Sequence, residues 1–513
     1  MSLIIFILLI ILIFLIIYLL IKNAYTRPEN FPPGPPRLPI WGSYWILLAL
    51  NYKFPHLALR ELGKRYKTNV LGFYLGQTPA VITLNYETTH EMLTRSEFTN
   101  RQVNFVIKKR AFGQENLGIF FSYGDFWKEQ RRYSLRTMRD FGLGRRSPNL
   151  ENVVADEVKK LMTMICNGPS NEIEKTVCKE KFHILLPHGL FSGFFNAFWY
   201  VLTGDTYSDP YKSHKVFQNA LKFQRSGEPL GGALVYTPWL RYIWPNKSGH
   251  VPTFESHFEL VDFFKDYIKE IKDNLSEDHS TGYIHEYLLE LKKQNPETYS
   301  TFSEDQLLLT LVDHLIPSIV ANTTVLAFTF LRILHNPHVQ TKIQQEIDTV
   351  VGSGRYPTLD DRSKMIYTEA TIKEGLRMDA LNPLGIPREC NQDTFFQGYF
   401  IPKGTFMVPG NHSSNMDTKL WGDPENFRPE RFIDANGHLV KKDYALLFGA
   451  GKRVCVGETF SRQNMFLFLS MLMQNFQFTV PDGESLPETT YQNYINGINV
   501  APKEFWIYAK PRF

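Results

Sequence analysis

Cysteine is scarce in this sequence: Cys166, Cys178, Cys390 and Cys455 are the four such residues in a chain of 513. So few, so far apart, exclude a disulfide framework as the basis of the fold. No Cys/His set has zinc-ligand spacing and no glycine-rich loop of the phosphate-cradling kind is present. Structural zinc, and nucleotide binding by the chain itself, are therefore unsupported. A charge excess is missing too. Lysine and arginine number 56 against 52 aspartates and glutamates, and a net charge of +4 is too small to argue for a nucleic-acid partner. What is abundant is apolar: 43% of residues are hydrophobic and 14% aromatic, which suits a large core and excludes overall disorder. The length exceeds one ordinary domain but fits a single large helical enzyme.

Charge is absent altogether from Leu3 to Ile21, a run of mostly Ile, Leu and Phe. At about 1.5 Å per residue such a helix crosses a bilayer core. The run lacks the basic start and cleavage site of a secretory signal and is too long for one, so residues 1–22 read as an uncleaved transmembrane anchor. Lys22, Arg27 and Arg37 follow closely, and the positive-inside rule puts them, with the rest of the chain, on the cytosolic side of an internal membrane. On that topology the sequons at Asn246, Asn274, Asn322 and Asn411 go unused. Phe31-Pro32-Pro33-Gly34-Pro35-Pro36-Arg37-Leu38-Pro39 makes residues 23–40 a stiff extended hinge, because proline fixes φ and stops a helix.

Beyond the hinge the patterning predicts a mainly α protein with a small β-rich part. Residues 55–66 read as a helix, and Val70–Leu75 with Ala80–Leu84 as a hairpin around Gly76-Gln77-Thr78-Pro79. Residues 100–124 read as an irregular loop, and 150–300 as helical. Aromatic clusters at Phe191–Tyr200 and Tyr236–Trp244 fit core packing, a pocket lining or a membrane contact equally well. Ser303-Glu304-Asp305-Gln306 has the form of a capping box, opening an apolar helix to about Leu334. Pro317 removes a hydrogen bond inside that helix and predicts a kink.

The densest local signal is Phe448-Gly449-Ala450-Gly451-Lys452-Arg453-Val454-Cys455-Val456-Gly457. Gly449 and Gly451 permit a tight loop that aims amide N–H groups at the Cys455 sulfur. Arg453 offers a planar fork for a carboxylate, and Phe448 shields the sulfur. Gly457 lets the next helix start close to a flat ligand. One thiolate on a thiol-poor chain suits haem iron better than zinc. The loop resembles the haem loop of the cytochrome P450 family, in which Phe, Gly, Arg, Cys and Gly stand at the positions of Phe448, Gly451, Arg453, Cys455 and Gly457. Further matches follow the family's order over essentially the whole chain. They are Trp127 with Arg131, Glu374-Gly375-Leu376-Arg377, Ile386-Pro387-Arg388, and Phe427-Arg428-Pro429-Glu430-Arg431-Phe432. Ser461 stands where alanine is usual. Trp127–Arg132, Arg139-Asp140-Phe141-Gly142 and the Gly457-Glu458-Thr459-Phe460 ending are most similar to microsomal insect members of the family-2 clan.

The resemblance implies the P450 fold over residues 41–513 and haem b held by Cys455 as axial iron ligand. Trp127, Arg131 and Arg388 would meet the haem propionates, and Glu374, Arg377 and Arg431 would form a structural network. It implies oxygen insertion into a small apolar substrate, an isoprenoid hormone, volatile metabolite or foreign compound. Electrons would come from NADPH through the flavins of a membrane-bound reductase, with cytochrome b5 as a further donor, at the endoplasmic reticulum. Lys128, Arg132 and Arg136 form a basic stripe at i, i+4, i+8, either a solvated face or a dock for an acidic donor.

One segment departs from the family pattern. Members carry Ala/Gly-Gly-x-Asp/Glu-Thr-Thr on the long helix, and the acid and alcohol help deliver protons. Aligned on Asp313, without an insertion, Pro317-Ser318 replaces the small pair, Val320 the acid and Ala321 the alcohol, with Asn322 next. Aligned on Thr323-Thr324, Asn322 replaces the acid. Ala321, Asn322 and Thr323 are thus candidate catalytic positions, and the carboxylic acid is missing either way. A water or substrate hydroxyl standing in for the lost groups is one expectation. Altered chemistry is the other: N-hydroxylation of an amino acid to an aldoxime, or an oxygen-independent rearrangement or dehydration.

Overall fold

A computed structural model describes residues 2–273, 281–295 and 300–513; the Asn274 sequon lies outside them. The first helix, Ser2–Tyr25, runs three residues past the expected anchor boundary. Its stretch Ile4–Tyr25 is long and apolar enough to cross a membrane, and none of it is buried in the protein. The proline-rich connector then leaves the helix in extended form. Arg27 fastens it, donating from its guanidinium to the carbonyls of Pro32 at 2.9 Å and Gly34 at 2.6 Å.

The helix Pro55–Arg65 forms where apolar spacing placed it, with proline at its first turn where a missing N–H costs nothing. The hairpin follows, but its second strand is Thr78–Thr83, with Val70 opposite Thr83 and Leu75 opposite Thr78. Gly76 and Gln77 alone make the turn, Gly76 at φ +64°, so Pro79 belongs to the strand and not to the turn. Phe406–Val408 adds in parallel beside Thr78–Thr83, and Arg388–Glu389 completes a four-stranded sheet. Residues 100–124 are not wholly irregular. The side chain of Asn104 accepts the N–H groups of Val106 and Ile107 and starts a short helix, Phe105–Arg110.

Among the described residues 150–300 is mostly helical, and its strand His183–Leu186 joins Phe505–Pro511 and Phe476–Thr479 in a three-stranded sheet. The two aromatic clusters separate here. Phe194, Phe195, Phe198 and Trp199 of helix Phe191–Thr203 are buried, with Phe194 stacked on Phe468 at 4.4 Å. Trp239, Tyr242, Ile243 and Trp244 lie exposed on the surface. Through the middle runs the long apolar helix. Ser303 caps it by accepting Gln306 N–H at 3.1 Å, and it continues to His335. At Pro317–Ala321 the helix widens into a single π-type turn, so the disruption expected of Pro317 is a local bulge.

Candidate active site

The glycine-rich loop ends in helix Glu458–Asn475, which points Cys455 inward from just before its start. Gly451 has φ +69°, and a Cβ on it would meet the Leu93 carbonyl oxygen at 2.5 Å, so only glycine fits. Cys455 N–H donates to the Phe448 carbonyl at 2.8 Å, closing the loop beneath the sulfur. The Cys455 side chain is accessible, although protein atoms surround it. Burial pushes its thiol up, while a hydrogen bond from Gly457 N–H and the nearby Arg131 cation pull the other way. Both of those favour thiolate. A Cβ on Gly457 would stand 4.0 Å from the Cys455 sulfur.

Around this loop the chain gathers four arginines. Strand Arg388–Glu389 delivers Arg388, helix Gly124–Asp140 delivers Arg131, the cysteine loop delivers Arg453, and the loop before Phe105 delivers Arg101. Among the described residues, the hydrogen bonds of these four guanidinium groups all go to backbone carbonyls. Arg453 donates to Thr99 and Ser122 at 2.9 and 2.7 Å, Arg388 to Leu93 at 2.6 Å and Arg101 to Ile386 at 2.8 Å. Arg131 donates to Val454. Burial and mutual repulsion push Arg453 down to about 9, and Arg101 well below its ordinary value, while burial takes Arg388 to about 10. Arg453 also lies over the Trp127 ring at 3.5 Å, and the buried Trp127 indole N–H has no partner. Four crowded cations and an orphaned donor beside an accessible cysteine are what a flat ligand with two carboxylates requires. The residues fit haem. Sequence reasoning passed over Arg101, because an arginine in a loop without periodicity carries no signal of its own.

Glu374, Arg377 and Arg431 come together as a buried network. Arg377 donates twice to Glu374, at 2.7 and 2.9 Å, and Arg431 donates to the same carboxylate at 2.9 Å. Neither Glu374 nor Arg377 has any exposed side chain. The remaining donors reach the carbonyls of Asn415, Pro424 and Trp421, so every charge is satisfied. This network holds helix Ile366–Met378 to the stretch leading to the cysteine loop.

On the long helix, Pro317 is exposed, Ala321 partly so, and Asn322 and Thr323 are buried. Asn322 donates to Ser318 O at 2.7 Å and Thr323 to Ile319 O at 2.9 Å, so both side chains are bonded back to their own helix. Ala321 sits with Phe448 and Val456 at the margin of the main apolar core. His314, about two turns before Ala321, is buried, and burial takes its pKa down to about 4. Asp313 is occupied: it takes Arg110 Nη2 at 2.6 Å and the N–H groups of Ile119 and Phe120 at 2.9 Å each. A Cβ on Gly118 would lie 2.3 Å from Asp313 Oδ2, which is why the loop can close on that carboxylate. Lys128, Arg132 and Arg136 are exposed on the helix that carries Trp127, and Lys128 pairs with Asp125 at 2.7 Å.

A family model described as Cytochrome P450 matches residues 32–507. "Farnesoate epoxidase" of Bombyx mori is 31% identical over 485 residues, 94% of either chain. "Cytochrome P450 2J3" of Rattus norvegicus is 31% identical over 500 residues, 95% of this chain and 93% of the relative. "Cytochrome P450 2L1" of Panulirus argus is 32% identical over 480 residues, 91% and 92% of the two chains.

Proposed function

The chain belongs to the cytochrome P450 family and is a monooxygenase-type oxidoreductase, and on that premise we propose that it inserts one oxygen atom from O2 into a small apolar substrate. The observation that carries this is the accessible Cys455 sulfur beside four arginines that, among the described residues, pair with no acid. Haem bound through Cys455 supplies the oxidising chemistry, the thiolate pushing electron density that favours O–O cleavage. The chain's own part is positional. Arg101, Arg131, Arg388 and Arg453, with Trp127, hold the propionates. The Gly457 N–H tempers the sulfur, and Phe448 keeps water from it. The Glu374–Arg377–Arg431 network keeps the cysteine loop in register with the rest of the fold.

Electrons from NADPH reach the site through a flavoprotein reductase docked on Lys128, Arg132 and Arg136, and cytochrome b5 uses the same face. Residues 1–22 anchor the chain in the endoplasmic reticulum membrane, residues 23–40 act as the hinge, and residues 41–513 face the cytosol as the catalytic domain. The exposed Trp239, Tyr242, Ile243 and Trp244 rest at the bilayer interface, where amphipathic rings are favoured. The substrate is of the isoprenoid-hormone, volatile-metabolite or xenobiotic kind. The silkworm relative, whose name places its activity on farnesoate, supports the first of these.

A second reading is favoured by the π turn. No carboxylate stands in Pro317–Ala321, and Asn322 and Thr323 spend their polar groups on their own helix. Such a helix suits chemistry that needs no relay from the protein: aldoxime-forming N-hydroxylation, or a rearrangement or dehydration without O2. The reduced carbon-monoxide difference spectrum of the membrane protein, followed by NADPH oxidation with reductase, separates the oxygen-using readings, aldoxime formation included, from rearrangement or dehydration without O2. A thiolate-type band with substrate-stimulated NADPH use supports the oxygenase. The band without NADPH use transfers the assignment to rearrangement, and no thiolate band in folded, haem-loaded protein overturns both.

A further inference from the structure

Arg462 lies one turn into helix Glu458–Asn475 and reaches both ends of the stretch that holds Cys455. Its guanidinium stands 4.9 Å from the centre of the Phe448 ring, where a cation is attracted to the ring face. Its Nε donates to Glu458 Oε1 at 2.9 Å, and the i, i+4 spacing keeps both on one helix face. Phe448 and Glu458 are each tied to the cysteine. The Phe448 carbonyl takes the Cys455 N–H at 2.8 Å, and Glu458 begins the helix three residues beyond the sulfur. The Arg462 side chain is 17% exposed, so one mostly buried fork grips the ring on one side of Cys455 and the carboxylate on the other.

The charges around this fork balance. A surface cavity of about 540 Å³ beside it is lined, among the described residues, by three acids and three cations. Arg362 donates to Glu369 at 3.0 Å, Lys373 to Asp443 at 2.8 Å and Arg462 to Glu458, with a longer contact of 3.5 Å from Arg462 to Asp443. Of these acids it is Glu458 whose charge acts on Cys455, opposing the thiolate that the Arg131 cation favours. Arg462 cancels that opposing charge. We propose that Arg462 is a positioning residue for the Cys455 thiolate, which neutralises Glu458, seats the Phe448 ring and thereby sets the reduction potential of the bound haem. Reduction adds one electron from the donor protein and no counter-charge. An unpaired carboxylate close by therefore disfavours the reduced form, and an unpaired cation favours it. This deepens the oxygenase reading and rests on its assignment of Cys455 as the iron ligand.

The test is spectroelectrochemical titration of the full-length, haem-loaded protein in lipid nanodiscs. Arg462→Gln uncovers the Glu458 charge and lowers the ratio of reduced to oxidised haem at a fixed potential about three- to tenfold, a tenfold change being about 59 mV for one electron. Glu458→Gln shifts the ratio by a similar factor in the opposite direction. The paired variant Arg462→Gln/Glu458→Gln returns to within about twofold of the native ratio, because the charge sum is restored. Arg462→Lys keeps the charge and recovers most of the native value. A merely structural Arg462 would lower the melting temperature of its variants without these opposed shifts. An unmoved potential in folded Arg462→Gln overturns the proposal, as do shifts of one sign in both single variants or a lysine variant displaced as far as the glutamine one. Should Arg462→Gln fail to fold, Glu458→Gln decides alone, and a potential that stays or falls in it is fatal. The reduced carbon-monoxide spectrum of the same samples keeps the two readings apart. No thiolate-type band in the native protein overturns the haem reading, whereas a normal band with unmoved potentials overturns this inference alone.

Discussion

On the Cys455 side Phe448, Gly451, Arg453, Cys455 and Gly457 all match the family pattern, Ser461 being the departure, whereas the Pro317–Ala321 stretch carries neither the acid nor the alcohol of the same pattern. On the proposed reading the two regions serve one site and face different physical demands. The cysteine loop has few ways to work. Gly449 and Gly451 occupy positive φ, and on the proposed reading the sulfur must face the ligand and the arginines its carboxylates. The long helix needs only to pass over the site, and water or substrate can stand in for a proton-carrying side chain. What is rigidly required is kept, and what solvent can replace has changed.

The comparison breaks first at Cys455. Cys455→Ala removes the one thiolate, and the thiolate-type band of the reduced carbon-monoxide spectrum disappears completely; a persisting band would remove the basis for assigning this side of the site. Next in size is Glu374→Ala, which strands Arg377 and Arg431 without their shared carboxylate inside the protein. Breaking a buried network of this kind costs about 3–5 kcal/mol, so thermal unfolding shifts down by many degrees and the holoprotein yield collapses. An unchanged melting temperature would make the network incidental. A smaller effect is expected of Arg101→Leu, which removes one of the four cations proposed to hold the propionates. Loss of a charge-assisted hydrogen bond is worth about 1.5–3 kcal/mol, so transfer of haem to an acceptor protein accelerates on the order of tenfold or more. If the rate holds while stability falls, Arg101 serves only the carbonyls of Phe120, Ile386 and Pro387.

Legibility in the sequence follows the range of the interaction. Cys455, Arg453 and the Glu374–Arg377 pair declare themselves, because each motif puts its members within one loop or one helical turn. Arg101 and Arg110 act across more than two hundred residues, on the carbonyls before Arg388 and on Asp313, and nothing local marks them. The two aromatic clusters differ in what interrupts them, and they have opposite fates. Phe191–Tyr200 lies within an unbroken helix and has Ser192 and Asn196 as its polar residues, so nearly the whole of it is buried. Tyr236–Trp244 is interrupted by Pro238 and followed by Pro245, so it forms only short helical pieces that cannot insert into the core. Pro317 was legible as a disruption, but its form was not. A helix held by packing along its whole length absorbs a proline as a wider turn more readily than by bending.

The finest test lies on the altered side. Ala321 is partly accessible beside the main core, whereas Val320 is 1% exposed within it. Restoring the two family groups is therefore not one experiment but two. Ala321→Thr adds a hydroxyl at a position with room for it, and raises product formed per NADPH about two- to threefold while peroxide release falls, a fraction of the gain a positioned proton donor can give. Val320→Glu buries a carboxylate among Leu, Ile and Phe side chains without a partner. It stays protonated or destabilises the helix by several kcal/mol, and coupling does not improve. If Ala321→Thr leaves peroxide release unchanged, the hydroxyl has no proton path to join. The π turn then marks chemistry that never relied on one, and the contrast between the two sides becomes a difference in reaction type and not only in how a proton is carried.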